Sequence, residues 1–292
     1  MHLVGMEFVP ASKWGGPPIQ EPDSTVPQEP THEDISGFVR LLVAEADHHL
    51  SSDVWGVDTA SQDWGPRQYL AGALRHVCRL LYELQQAAAG GLETTVWIVG
   101  RTHSEAWLVA MYLFMGGDEA FERVQLQSKK EMEKHIRQIE EFNAKAAKTG
   151  RAPIGLSFAP NVDQWIKGTS KALGVLDMLR RTDRLAREQW PEDQSYEYAY
   201  HNYRLQSAFG THVGAVVLQS YWNSPVCTDG GLLVSTSAPT GNSTMRQTLE
   251  MATYLTAFAL KRIVMKDDPD SMASQVFTRL QPLPSGRPRW DP

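Results

Sequence analysis

In the first half of the chain, the residues best suited to chemistry are the charged side chains of one apolar segment. Residues 94–117, TTVWIVGRTHSEAWLVAMYLFMGG, are apolar around almost the whole helical circumference but carry Arg101, His103 and Glu105. Arg101 and Glu105 are four residues apart and share a helix face, where they either pair or converge on a neighbouring helix. Because buried charges need partners and often mark sites, the segment predicts either a structural salt bridge or an active or ligand site.

A second polar stretch occupies residues 195–222, SYEYAYHNYRLQSAFGTHVGAVVLQSYW. If it stays helical through Gly210, then His201, Arg204 and His212 fall within about one face. Other polar side chains accompany them, and the candidate binding residues of this stretch are Tyr203, Ser207 and His201.

Together the two stretches resemble a helical bacterial family of unassigned function. In that family an R-x3-E pair stands on one helix, and a Tyr-x3-Ser with a nearby His stands on another. Here the pattern is Arg101-Thr-His-Ser-Glu105, followed by Tyr203-Arg204-Leu-Gln-Ser207-Ala-Phe-Gly-Thr-His212. The likeness covers residues 66–222. It extends more remotely to the HEPN helical domains and abortive-infection proteins, many of which are ribonucleases of toxin and phage-defence systems.

The likeness to HEPN nucleases implies a metal-independent, homodimeric ribonuclease without a cofactor, acting on RNA through Arg204, His212, Arg101 and Glu105. In that family an Arg and a His form the RNA-cutting site, and seven residues separate Arg204 from His212 here, a longer spacing than the family's. By this resemblance His212 would be the general base or acid, and Arg204 would stabilise phosphate charge. Arg101 and Glu105 would orient the pair.

The alternative function is non-catalytic. A helical protein without a recognised catalytic motif is expected to bind a protein partner or a small ligand. The Arg101–Glu105 and Arg204–His212 groups would then be structural hydrogen-bond networks. The sequence contains no P-loop, GxSxG, HExxH or GxGxxG motif that would point to another enzyme class.

A metal site is a third possibility for the polar residues. Glu45 and His48 have the i, i+3 spacing of carboxylate-bridged metal sites in helical bundles. The sequence has no second copy of that pair, and adding Glu105 and His135 leaves the ligand set incomplete. The competing interpretation is a solvated helix end whose histidines favour the C-terminal dipole.

Two further groups of residues stand out in the sequence. Cys78 lies on an apolar stripe and is expected to be a small buried hydrophobe. The densest basic face of the sequence comprises Arg180, Arg181, Arg184 and Arg187. It is either solvated and balanced by nearby acidic residues or in contact with a phosphate backbone.

Composition limits the class of protein. The chain has 292 residues, a mass of 32.7 kDa, a formal charge of -6 and a pI near 5.9, which give no global attraction to nucleic acid. Its two cysteines, Cys78 and Cys227, are too few for a disulfide framework. No signal peptide is evident, and three ionisable residues within 94–117 disfavour a membrane span. We therefore expect a cytoplasmic protein.

The elements that position these residues are predicted to be helices throughout. Residues 1–30 are a Pro-rich arm, residues 31–280 one helical domain, and residues 281–292 a Pro-rich tail. The expected architecture is an all-α bundle of about seven or eight helices.

Local signals mark several helix boundaries. Thr31 is a helix cap, Pro66 suits a first helical position, and Gly116-Gly117 is a helix stop, after which Asp118 caps the next helix. Residues 223–242 form a long loop with a short strand or hairpin at residues 232–235.

Overall fold

A computed structural model describes residues 30–51, 65–153, 155, 173–190 and 242–280, with the short pieces 196, 199–200, 203–204, 226–228 and 231–233. Within these residues the fold is all-α, which confirms the predicted class. The elements are α1 (His32–His49), α2 (Pro66–Ala89), α3 (Glu93–Lys148), α4 (Val175–Gln189), β1 (Val226–Thr228), β2 (Gly231–Leu233), α5 (Asn242–Ala259) and α6 (Met272–Leu280). A π-helical turn, Leu260–Val264, continues α5.

The predicted starts of α1 and α2 are confirmed. Thr31 forms a capping box with Asp34: the Thr31 hydroxyl accepts from the Asp34 N–H at 3.1 Å, and the Asp34 carboxylate accepts from the Thr31 N–H at 2.7 Å. Pro66 occupies the start of α2, where its missing N–H leaves no hydrogen bond unmade. Both signals are local, so they hold whatever the helix packs against.

The Gly116-Gly117 pair bends the chain instead of ending it. Gly117 has φ 53° and ψ −135°, a conformation that favours glycine, and helix resumes at once within α3. A Cβ at Gly116 would lie 2.6 Å from the Ala120 Cβ, so this close approach also requires glycine. The predicted break is therefore present, but the predicted separate helix is the second half of one kinked element.

The most enclosed helix is α5, not the 94–117 segment. All residues from 248 to 260 are buried, whereas Thr94, Thr95, Ile98 and Thr102 of α3 are exposed. The Thr hydroxyls of α5 tolerate burial because they donate to carbonyls one turn back, Thr253 to Leu249 at 2.7 Å and Thr256 to Ala252 at 2.9 Å. The 94–117 segment is thus not buried on every face, although it is apolar around almost its whole circumference.

A small hairpin is the one extended pairing among the described residues. β1 and β2 pair antiparallel, with Val226 opposite Leu233 and Thr228 opposite Gly231. The predicted strand at residues 232–235 overlaps β2. The predicted arm up to residue 29 and the tail from residue 281 lie outside the described part of the chain.

Glu45 connects the first helix to the last. Its two carboxylate oxygens accept from the backbone N–H groups of Met272 and Ala273, both at 2.8 Å, at the N-terminus of α6. The first N–H groups of a helix have no partner within the helix, and a negative charge there is favoured by the helix dipole. Glu45 is thus a long-range helix cap. Neither interpretation made from the sequence, a metal ligand or part of a solvated helix end, included this role.

We expect Glu45→Gln to lower the free energy of unfolding by about 1–2 kcal/mol, because the capping charge is lost. Urea unfolding at neutral pH measures the change. Glu140→Gln on the exposed face of α3 is the control and should leave the midpoint unchanged. Equal midpoints for the two variants would contradict the capping role.

Candidate functional site: the groove between α2 and α3

A solvent-open groove of about 440 Å³ runs between α2 and α3. These helices form a hairpin whose turn includes Gly91 at φ 66°, and they pack along each other from there. The polar lining residues are Gln68, Tyr69, His76, Thr102 and Glu105, and the small or apolar ones are Gly72, Ala73, Ala106, Val109 and Leu113.

Small residues at the helix contact create the groove. Gly72 and Ala73 of α2 face Ala106 of α3, and a Cβ added at Gly72 would meet no atom within 4 Å. Val109 and Leu113 supply an apolar wall on α3 at helical spacing from Ala106. The result is a largely apolar channel with open space above its floor.

Glu105 supplies the carboxylate of this groove. It is partly buried, and within the described residues no hydrogen bond or ion pair satisfies it. His76, from α2, is the basic residue among those that line the groove. The predicted Arg101–Glu105 salt bridge is absent from the part of the chain that the structure describes.

Arg101 of α3 contacts the second polar stretch. Its guanidinium carbon lies 5.4 Å from the centre of the Tyr203 ring, a cation–π geometry. The Nε atom of Arg101 is buried and has no hydrogen-bond partner in the described residues. Arg101 sits next to Thr102 and one helical turn before Glu105, both of which line the groove.

An aromatic anchor brings the second stretch to this position. Tyr196 is buried, with its ring centre 5.2 Å from that of Trp107 on α3 and 6.2 Å from that of Phe258 on α5. Tyr203 and Arg204 are helical, as predicted. The two polar stretches therefore meet at the Arg101–Tyr203 contact.

The other predicted residues of the second stretch have different outcomes. The Arg204 guanidinium lies 5.9 Å from the Tyr200 ring centre, and the side chain is exposed. His201, Ser207 and His212 lie outside the described residues. The arrangement of Arg204 and His212 as a catalytic pair stays a prediction.

His103 is a buried, neutral histidine of the core. Its Nε2 lies 2.8 Å from the Thr256 Oγ1. Because the single Thr256 hydroxyl proton is donated to the Ala252 carbonyl, Nε2–H must be the donor to Thr256, and Nδ1 is left as an acceptor without a partner. Burial, with a smaller contribution from His76, lowers the pKa of His103 to about 3.

Sequence reasoning missed the α2 side of the groove. Gln68 and His76 were not predicted as site residues, because each is a single polar residue on an otherwise ordinary amphipathic helix. The available signal was the Gly72-Ala73 pair, since small residues in mid-helix leave a gap beside a neighbouring helix. Identifying that neighbour required the tertiary structure.

The remaining candidate groups are structural or solvated. Burial in the core raises the pKa of the Cys78 thiol to about 12. The basic face of α4 is balanced by acids: Arg187 pairs with Asp183 at 3.0 Å, and Arg181 pairs with Glu119 at 3.1 Å. Among the described residues, no three His, Cys, Asp or Glu side chains are grouped to hold a metal, and His135 is exposed.

Comparison of the chain with known proteins indicates no function. No protein-family model, curated protein or solved structure matches the chain. None of the helices in the described ranges combines the length and apolarity needed to cross a membrane.

The low pKa of His103 predicts a specific loss of stability in acid. Between pH 6.5 and about 3 the unfolded state binds a proton that the native state excludes, so the free energy of unfolding falls as the pH is lowered. The expected slope is up to about 1.4 kcal/mol per pH unit. It is measured by urea unfolding at a series of pH values for the native protein and for His103→Gln.

The glutamine variant should lose this part of the pH dependence, because its side chain does not titrate. His135→Gln, at an exposed position, should keep it. Identical slopes for the native protein and His103→Gln would contradict the assignment of His103 as a buried neutral base.

Proposed function

We propose that the protein binds a small organic cation with an apolar body in the groove between α2 and α3. The observation that carries the proposal is Glu105, a partly buried carboxylate in a largely apolar groove, with no ion-pair partner among the described residues. This is the non-catalytic interpretation of the polar residues, with a small molecule as the ligand.

The size and chemistry of the groove support a small molecule. Its volume of about 440 Å³ lies within the range of roughly 300–1,000 Å³ typical of ligand pockets, which are mostly apolar with a few polar groups that fix orientation. A carboxylate between apolar walls loses hydration and gains from a charged donor. A ligand ammonium would supply that donor, while its apolar body would cover Val109 and Leu113.

The proposal is tested by calorimetric titration of the full chain with primary amines of increasing apolar size: isopentylamine, 2-phenylethylamine and tryptamine. We expect saturable binding that Glu105→Gln weakens about tenfold or more, because a charge-assisted hydrogen bond is lost. Gly72→Leu should also weaken binding, since the added side chain enters open groove space.

Matched controls separate the groove from the rest of the surface. Glu140→Gln removes an exposed charge elsewhere on α3 and should bind each amine as the native protein does. Gly72→Leu should remain folded, because leucine has the higher helix propensity. The proposal fails if no amine binds saturably, or if Glu105→Gln and Glu140→Gln bind equally well.

The Arg101–Tyr203 contact favours a second candidate, a metal-independent ribonuclease of the HEPN type. In this candidate His212 removes the proton from a ribose 2′-OH, and the 2′-oxygen attacks phosphorus. The bond from phosphorus to the 5′-oxygen breaks as a 2′,3′-cyclic phosphate forms, and the leaving 5′-oxygen takes up a proton from water. Arg204 stabilises the charge on the phosphate, and Arg101 with Glu105 orients the pair. The contact supports this candidate because it joins the two stretches that carry these residues.

RNA cleavage in the presence of EDTA tests the second candidate. Activity is expected to fall by about 100-fold or more in His212→Ala, the loss typical of a missing general acid or base. Arg204→Ala should lower activity as well. His135→Ala and Arg184→Ala, both at exposed positions, are the matched controls. Absence of cleavage, or equal cleavage by His212→Ala and His135→Ala, would rule the ribonuclease out.

A further inference from the structure

Arg101 and Glu105 differ from comparable charge pairs in this protein. At the same four-residue helical spacing, Arg79 pairs with Glu83 at 2.9 Å and Glu119 pairs with Arg123 at 2.8 Å. The Arg79–Glu83 pair even has the same order along the helix. Arg101 and Glu105 nevertheless form no ion pair with each other in the described part of the chain. Spacing allows the pair, so the tertiary environment must separate it.

The surroundings of each group account for the separation. The Arg101 guanidinium lies against the Tyr203 ring, while Glu105 lines the groove. A guanidinium held against an aromatic face keeps its in-plane N–H groups directed outward, where they match the geometry of a carboxylate. The Nε of Arg101 is buried without an acceptor, so this donor still requires a partner.

The cationic Arg101 therefore stands one helical turn before Glu105, the carboxylate that lines the groove, and directly before Thr102, another lining residue. Positions separated by four residues have Cβ atoms about 5–6 Å apart, and both side chains are long enough to meet on one small headgroup. A ligand with only an ammonium would leave Arg101 without an acceptor. A ligand with only a carboxylate would leave Glu105 without a donor.

We propose that the ligand of this groove is zwitterionic, of the apolar α-amino acid type. Its ammonium binds Glu105, its carboxylate binds Arg101, and its side chain lies along Ala106, Val109 and Leu113. The inference rests on the proposed function, because it names the headgroup of a ligand in the same groove. It adds the anion-binding role of Arg101, which the binding of a simple amine does not require.

Three probes with the same phenyl body separate the headgroups: phenylalanine, 2-phenylethylamine, which lacks the carboxylate, and 3-phenylpropanoate, which lacks the ammonium. Titrated calorimetrically into the full chain, phenylalanine should bind at least about tenfold more tightly than either of the others, because only phenylalanine satisfies both charged groups.

Variants assign each headgroup to its residue. Arg101→Gln should weaken phenylalanine binding about tenfold and leave 2-phenylethylamine binding unchanged, whereas Glu105→Gln should weaken both. Arg79→Gln, which removes a paired and exposed arginine from α2, should change neither. Arg101→Lys keeps the positive charge but lacks the planar guanidinium, so its affinity for phenylalanine should lie between those of the native protein and Arg101→Gln. If Arg101→Gln unfolds, Arg101→Lys takes its place in the test.

The outcomes distinguish this inference from the function on which it rests. The zwitterionic ligand is ruled out if 2-phenylethylamine binds the native protein as tightly as phenylalanine, or if Arg101→Gln weakens the binding of both ligands equally. In either case the proposed binding of a cation stands. If neither ligand binds saturably, the proposed function fails as well.

Discussion

The rotation of α3 about its own axis is the constraint on which the candidate site depends. Two buried hydrogen bonds hold one face of α3 against α5: the Trp107 indole N–H donates to the Leu255 carbonyl, and His103 donates to the Thr256 hydroxyl. At the period of an α-helix, Arg101 and Glu105 lie nearly opposite His103 and Trp107. Fixing the core face therefore turns both charges away from α5, one towards the groove and the other towards Tyr203.

Polar groups on α5 and α3 are treated in two different ways. In the core of α5, the Thr253 and Thr256 hydroxyls are satisfied by their own helix, so burial costs little. At the groove, the Glu105 carboxylate and the Arg101 Nε lack such partners in the described residues. Because charged groups elsewhere on the helices pair readily, this local lack of partners is the physical basis for placing a ligand here.

The parts of the fold that sequence reasoning predicted correctly depend on local interactions. The capping box at Thr31, the start at Pro66 and the break at Gly117 each follow from the conformational preferences of a few neighbouring residues. Of the site, the sequence singled out Arg101, Glu105 and Tyr203, because charged and aromatic residues stand out within apolar helical stretches. An Arg101–Glu105 salt bridge was one alternative, because the spacing of two residues does not show that an aromatic ring, here that of Tyr203, contacts one of them.

By itself the sequence determined the all-α class, the starts of α1 and α2 and the residues that could carry charge at a site, since these depend on periodicity and near neighbours. The tertiary structure alone decided which helix is most buried, which side of α3 is open and which α2 residues face it. Glu45 shows the reason most clearly: its partners Met272 and Ala273 are brought to it only by packing of the last helix against the first. Contacts between distant segments depend on the relative orientation of whole helices, which local sequence does not specify.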